Sequence, residues 1–146
     1  MQPTIIVNWG AILICVVSGF AIGFVWYGPL FGRAWAACMG LDFDKKPDAA
    51  VMRRAVILQA VGLLLVSFVL SHSNQIWRRS VWGLGVDDPA YVYALFGAGF
   101  TWLGFYVPMQ LNKVAWENRP WKLFFINAGH DLVNLIVISM ILAIWR

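Results

Sequence analysis

The residues with the clearest potential for chemistry lie in the last apolar stretch of the sequence. Asn127, His130, Asp131 and Asn134 recur at helical spacing and fall within an arc of roughly 100° on a helix. Asp131 is the only Asp or Glu within an apolar stretch, and it lies roughly 12 Å of helix rise beyond Leu123, close to the centre of a bilayer. Because lipid offers polar groups no hydrogen-bond partner, this stripe must face other helices or water.

Three interpretations of the stripe are open. Its side chains can form hydrogen bonds that hold neighbouring helices together, with each hydrogen bond stabilising the bundle by about 0.6 kcal/mol. It can be a proton, ion or solute site, because an ionised Asp at that depth costs about 2.5–3.5 kcal/mol unless it is protonated, paired or hydrated. In the third and less favoured interpretation, His130 ligates a pigment or a haem. Apart from that option, no cofactor is predicted. His130 and Asp131 point about 100° apart on a helix, so we expect their partners to come from other helices.

Two amides are candidate partners of this stripe. Gln59 lies near the start of the second apolar stretch, and Gln110 lies near the end of the third. The pattern Tyr-x-Pro occurs at 27–29 and again at 106–108, and each proline frees a carbonyl one turn earlier. These groups would together line a cavity at one side of the membrane, although an ordinary belt of interfacial aromatic residues also explains the tyrosines.

Signatures of enzymes are missing from the sequence. It contains no G-x-S-x-G, no H-E-x-x-H and no P-loop, and no helix carries paired carboxylates. With two histidines, the chain has too few ligands for a conventional metal site. We therefore predict no catalytic residue, no metal site and no enzymatic activity.

The amino-acid composition indicates whether the chain folds in water or in a lipid bilayer. Of its 146 residues, 61% are apolar and 12% are charged, against about 45–50% and about 25% in soluble domains. These values exclude a soluble globular domain, a disordered chain and a disulfide-rich secreted scaffold. The formal net charge of +4 then reports membrane topology rather than nucleic-acid binding, and the lipid bilayer is the expected partner.

Four apolar stretches predict a single all-α domain over residues 1–146, a bundle of four transmembrane helices with short loops. The predicted helices cover roughly 5–28, 55–72, 90–111 and 121–145. The aromatic-rich segment 74–86 is either a helix lying in the interface, with arginines reaching lipid phosphates, or an irregular loop.

The basic residues predict how the bundle is oriented. Eight of the eleven Lys and Arg lie in segments 33–54 and 112–122, and the other three lie in segment 71–90 and at the end of the chain. By the positive-inside rule, the first two segments face the cytoplasm and both termini lie on the non-cytoplasmic side.

Other residues are candidates for packing and anchoring. Gly19 and Gly23 in the first helix, and Ala94 and Ala98 in the third, have the spacing that lets helix backbones approach closely. The residues predicted to anchor the bundle at the cytoplasmic interface are Trp35, Trp116, Arg119, Trp121 and Lys122.

Two strings carry a resemblance to a known family. The sequence WYGPLFGRAW at 26–35 and the sequence WENRPWKLF at 116–124 resemble the four-helix bacterial membrane family known as domain of unknown function seventeen-sixty-one. The resemblance covers the whole chain and implies an integral inner-membrane protein, with no established activity. The sequence departs from the family pattern at His130-Asp131, where an aromatic and an apolar residue are more usual.

We expect a non-enzymatic structural or interaction protein in the bacterial cytoplasmic membrane. It would form a homo-oligomer or serve as a small accessory subunit of a larger membrane complex, with other membrane subunits as partners and without nucleic acid. The alternative is a small transporter or channel with its polar site near the bilayer midplane.

Overall fold

The computed structural model describes residues 5–145, which form helices and connections without a strand. Four helices are long and apolar enough to cross a membrane: α1 (Trp9–Leu30), α3 (Ala49–Ile76), α4 (Ala90–Trp116) and α5 (Trp121–Ile144). A short helix, α2 (Gly32–Met39), follows α1. The prediction of an all-α protein with four spans is therefore confirmed. Residues 1–4 and 146, which the single-domain prediction includes, lie outside the described residues.

The observed helices differ from the predicted ranges mainly at their ends. Helix α1 starts at Trp9 because the side chain of Asn8 caps it, accepting a hydrogen bond from the Ala11 N–H at 3.1 Å. Helix α3 starts at Ala49, six residues earlier than predicted, because the Asp48 side chain caps it in the same way. Hydropathy detects only the part of each helix that lies in hydrocarbon, so it misses the polar turns beyond.

Helix α5 is the centre of the bundle. It packs most closely on α4 and also contacts α1 and α3, whereas α3 and α4 contact each other much less. The buried core that joins the helices consists of Ala11, Ile12, Cys15, Leu63, Leu70, Ala98, Leu135, Ile138 and Leu142. We call the end of the bundle that carries α2 the α2 end, and the opposite end the terminal end. In the terminal half, α3 and α4 leave between them an apolar groove of about 460 Å³.

The small residues predicted to pack do lie between helices. A Cβ atom added at Gly19 would overlap the Leu63 side chain of α3, so this glycine makes room for Leu63 between α1 and α3. Ala94 and Ala98 are fully buried in α4. Gly23 faces α5, where a Cβ atom added to it would lie 3.9 Å from His130 Nε2.

Two of the spanning helices contain a widened turn with π-type geometry, at Trp26–Leu30 in α1 and at Trp102–Tyr106 in α4. In the first, Pro29 has no N–H to donate, and the Phe31 N–H donates to the Trp26 carbonyl at 2.8 Å. Pro108 follows the second turn. Widened turns of this kind reorient the side chains within them and recur at functional sites.

The connection between α3 and α4 does not form a helix lying in the membrane interface. Residues 77–89 form turns and one short 3₁₀ segment, Ser80–Trp82. The Arg78 side chain is 2% exposed, so it does not reach lipid phosphates. It donates a hydrogen bond at 2.7 Å to the carbonyl of Ala143, in the last turn of α5. The carbonyls of a helix C-terminus lack intrahelical partners and carry partial negative charge, which is why a cation is favourable there.

Asp87 holds the same connection in place. It accepts hydrogen bonds from the Ser80 N–H and hydroxyl, both at 2.8 Å, and lies 3.4 Å from an Arg78 nitrogen. Burial raises the pKa of the Asp87 carboxyl, but the hydrogen bonds and the guanidinium charge outweigh burial, so the pKa lies below its ordinary value.

We therefore expect acid to loosen the 77–89 connection. A group whose pKa is lower in the folded state stabilises that state above the unfolded pKa, and the contribution is lost as the pH falls through the folded pKa, here below about pH 4. Asp87→Asn should remove this part of the acid sensitivity, as measured by the acid unfolding midpoint in detergent. Asp88→Asn is the control, because its carboxylate is 46% exposed and 3.9 Å from Arg79. An unchanged acid midpoint in Asp87→Asn would contradict this expectation.

Candidate functional site

The polar stripe predicted on the last helix lies inside the bundle. The His130 side chain is 8% exposed and that of Asp131 is 16% exposed. Trp26 and Tyr27 of the widened turn in α1 and Gln110 of α4 lie against the stripe. A carboxylate and an imidazole are therefore both shielded in the middle of a membrane-spanning helix.

The Asp131 carboxylate contacts one amide and one imidazole. Gln110 Nε2 of α4 donates to Asp131 Oδ2 at 2.9 Å, and His130 Nδ1 lies 3.4 Å from Asp131 Oδ1. Neighbouring side chains on a helix do not ordinarily meet, so this contact was not expected from the spacing. If Asp131 is ionised it can only accept a hydrogen bond, and a neutral His130 then carries its proton on Nδ1. Among the described residues, no Lys or Arg forms an ion pair with Asp131.

Helix α1 contributes a tyrosine to the stripe. The Tyr27 hydroxyl donates to Asn127 Oδ1 at 3.0 Å. The Tyr27 ring lies 4.8 Å from the imidazole of His130 and the Trp26 ring lies 6.1 Å from it, measured between ring centroids. Two aromatic rings of α1 therefore lie beside His130.

Each widened turn directs an indole onto the backbone of α5. Trp26 Nε1 donates to the carbonyl of Ile126 at 2.9 Å, and Trp102 Nε1 donates to the carbonyl of Ala128 at 2.7 Å. The two accepting carbonyls lie four and two residues before His130 in the chain. Sequence reasoning did not find these indole contacts, although the repeated Tyr-x-Pro pattern marks both turns.

Two polar atoms of the stripe have no partner among the described residues. They are His130 Nε2 and Asn134 Oδ1, and both are shielded from solvent. Buried polar atoms are almost always hydrogen-bonded in native proteins. With the proton on Nδ1, His130 Nε2 is an acceptor, as is the Asn134 oxygen. The site therefore presents two buried acceptors without donors.

The other predicted site residue lies elsewhere. Gln59 is exposed on α3, away from the stripe, so the structure does not bring it to Asp131. A second cavity, of about 380 Å³, lies at the α2 end and is lined by Gly28, Pro29, Leu30, Arg33 and Phe43. Within residues 5–145, no group of three His, Cys, Asp or Glu side chains could hold a metal ion.

The predicted interfacial anchors lie at the α2 end. Trp35 is half-buried, with its ring edge against Tyr27 at 5.5 Å. Trp116, Trp121 and Lys122 are exposed. Arg119 lies 3.7 Å from the Glu117 carboxylate. Exposed indoles and cations at one end of a bundle are suited to the membrane interface.

A second polar cluster lies in the terminal half and was missed by sequence reasoning. Asn74 of α3 is 2% exposed and exchanges hydrogen bonds of 2.8 and 3.1 Å with the Ser139 hydroxyl of α5. Gly97 of α4 makes room for this pair, since a Cβ atom there would overlap the Asn74 amide oxygen. Arg78 follows one turn after Asn74, so the available signal was a pair of polar residues four apart, in a segment predicted to be either an interfacial helix or an irregular loop.

Comparison with known proteins gives one match. The model of the family described as Protein of unknown function (DUF1761) matches residues 10–143. Neither the curated proteins nor the solved structures give a match.

Proposed function

The chain belongs to the DUF1761 family, and we propose that this protein of four spans is a small transporter or channel for a cation. The observation that carries this proposal is the shielded Asp131 carboxylate, which contacts Gln110 and His130 but, among the described residues, no Lys or Arg. We propose no catalytic role, so His130 and Asp131 would bind rather than react.

Helix packing alone does not explain the polar groups of the α5 stripe. The Tyr27–Asn127 and Gln110–Asp131 hydrogen bonds do join helices, and neutral amides serve that purpose well. An ionised carboxylate costs about 2.5–3.5 kcal/mol at the centre of a membrane helix. Packing also leaves His130 Nε2 and Asn134 Oδ1 without partners. Ionisable groups inside a membrane commonly mark ion and solute pathways, which supports transport.

The proposal is tested by flux in proteoliposomes that contain the purified protein and an entrapped pH-sensitive dye. We expect the wild type to dissipate an imposed proton or ammonium gradient faster than protein-free vesicles. Asp131→Asn should reduce that rate to background, because it removes the charge that a cation would meet. Asp88→Asn, which changes an exposed carboxylate outside the spans, should transport like the wild type. Background flux in the wild type would refute the proposal.

A second candidate function is the structural or interaction role, as a homo-oligomer or an accessory subunit. It is favoured by the apolar groove between α3 and α4, lined by residues that include Phe96 and Phe100, and by the exposed amide of Gln59. An exposed polar side chain on a spanning helix gains from a partner helix. Purification in a mild detergent followed by native mass spectrometry tests this role, because it shows whether the chain is bound to copies of itself or to another subunit. A monodisperse monomer without a co-purifying subunit would count against the role.

We also propose that the chain lies in a bacterial cytoplasmic membrane with the α2 end facing the cytoplasm. Eight of its eleven Lys and Arg lie in the segments at that end, which supports this orientation through the positive-inside rule.

A further inference from the structure

We infer that the α5 stripe binds one small ammonium-type cation, either the ammonium ion or a primary amine. In this arrangement Asp131 supplies the negative charge, while His130 Nε2 and Asn134 Oδ1 accept hydrogen bonds from the ligand. The inference rests on the proposed cation transport and names the chemical class of the cation.

The first argument is charge. The proposed binding state has an ionised Asp131 and a neutral His130 whose Nδ1, 3.4 Å from the carboxylate, carries the proton, while Gln110 contributes only a neutral amide. The cluster therefore carries one net negative charge in a low-dielectric region, without a Lys or Arg in contact among the described residues. Burying an unpaired charge is costly, and an opposite charge in contact with it offsets that cost. One bound monovalent cation supplies the missing charge.

The second argument is the chemistry of the unpartnered atoms. His130 and Asn134 are four residues apart on α5, so they lie on the same face of the helix. Both unpartnered atoms need a hydrogen donor, and an ammonium group carries several N–H donors. Alkali ions have no hydrogen to donate, and hard cations prefer oxygen ligands to imidazole nitrogen. A transition metal would require further His, Cys or carboxylate ligands, which the described residues do not gather.

The third argument is the surroundings of the site. Aromatic rings attract cations to their faces, and the rings of Tyr27 and Trp26 lie 4.8 and 6.1 Å from the imidazole. Gly23 keeps the space beside His130 Nε2 open, because a Cβ atom there would lie 3.9 Å from this nitrogen. Both acceptors are shielded from solvent, which restricts the ligand to a few heavy atoms.

The inference is tested by the binding of ¹⁴C-methylammonium to the purified protein in nanodiscs, measured by scintillation proximity. We expect saturable binding of one methylammonium per chain, displaced by ammonium and not by an equal concentration of potassium. Asn134→Leu should weaken binding about tenfold or more, because it removes one charge-assisted hydrogen bond from a buried site. Gln59→Leu removes an exposed amide from α3 and should bind like the wild type.

A second variant, Gly23→Ala, keeps the test decisive if Asn134→Leu does not fold. The Cβ atom of Gly23→Ala would be in ordinary van der Waals contact, so the variant should fold and bind methylammonium more weakly. Absence of saturable binding, equal binding by Asn134→Leu, or full competition by potassium would each overturn the inference. Flux without methylammonium binding would overturn it and leave the transport proposal standing, with a proton as the cation. Methylammonium binding without flux would support it and refute transport.

Discussion

Arg78→Leu should lower the free energy of unfolding by about 3 kcal/mol, because it removes one partner from a buried charge cluster. The guanidinium of Arg78 contacts the Ala143 carbonyl at 2.7 Å and the Asp87 carboxylate at 3.4 Å, and it lies 4.7 Å above the ring of Tyr93. The leucine would leave the end of α5 without its cation and Asp87 without its ion pair. Unfolding in a titration from mild detergent to SDS, followed by circular dichroism, measures the loss.

The matched control is the next residue in the chain. Arg79 is 60% exposed, and its contact with Asp88 spans 3.9 Å. Exposed ion pairs contribute about 0–1 kcal/mol, and less in salt, so Arg79→Leu should unfold close to the wild type. If the two leucine variants unfold at the same SDS fraction, Arg78 does not hold the connection to α5.

Gly97→Ala should destabilise the bundle by about 1–3 kcal/mol, since it overfills a tightly packed contact. A Cβ atom at this position overlaps the Asn74 amide oxygen and lies 3.3 Å from the Ser139 hydroxyl. The added methyl would separate α4 from α5 or break the Asn74–Ser139 hydrogen bonds. The same SDS titration measures the effect.

Gly99→Ala tests whether packing is the cause. Both glycines lie in α4, and a Cβ atom at Gly99 has no neighbour within 4 Å. Alanine favours a helix over glycine by about 1 kcal/mol, so Gly99→Ala should be as stable as the wild type or more stable. If both substitutions destabilise the bundle equally, the loss of stability comes from replacing glycine in the helix backbone and not from the overlap with Asn74.

The four spans could be predicted because hydropathy over about 20 residues reports the thickness of the bilayer directly. The stripe on α5 could be predicted for a related reason, since Asp131 and His130 interrupt an otherwise apolar helix at helical spacing. Helical periodicity fixes which residues share a face of one helix. It carries no information about which other helix lies opposite, so Gln110 and Gln59 were equivalent candidates until α4 was seen to pack on α5.

The terminal half was harder to predict because its polar residues satisfy each other across helices. Arg78 follows Trp77 and precedes Trp82, and this combination of indoles and a cation also suits the membrane interface. Only the end of α5, which lies 65 residues further along the chain, makes the buried position of Arg78 favourable. The widened turns of α1 and α4 were missed for a similar reason, because a proline predicts a lost hydrogen bond and not how the helix compensates for it.

The central claim is that Asp131 binds a cation that crosses the membrane. Flux through proteoliposomes containing the wild type, Asp131→Asn or Asp131→Glu, at equal amounts of folded protein, tests it most directly. Dye-reported flux well above protein-free vesicles in the wild type, background flux in Asp131→Asn and partial recovery in Asp131→Glu are the predicted results, because glutamate restores the charge at a slightly different position. Flux in Asp131→Asn equal to that of the wild type would contradict the claim.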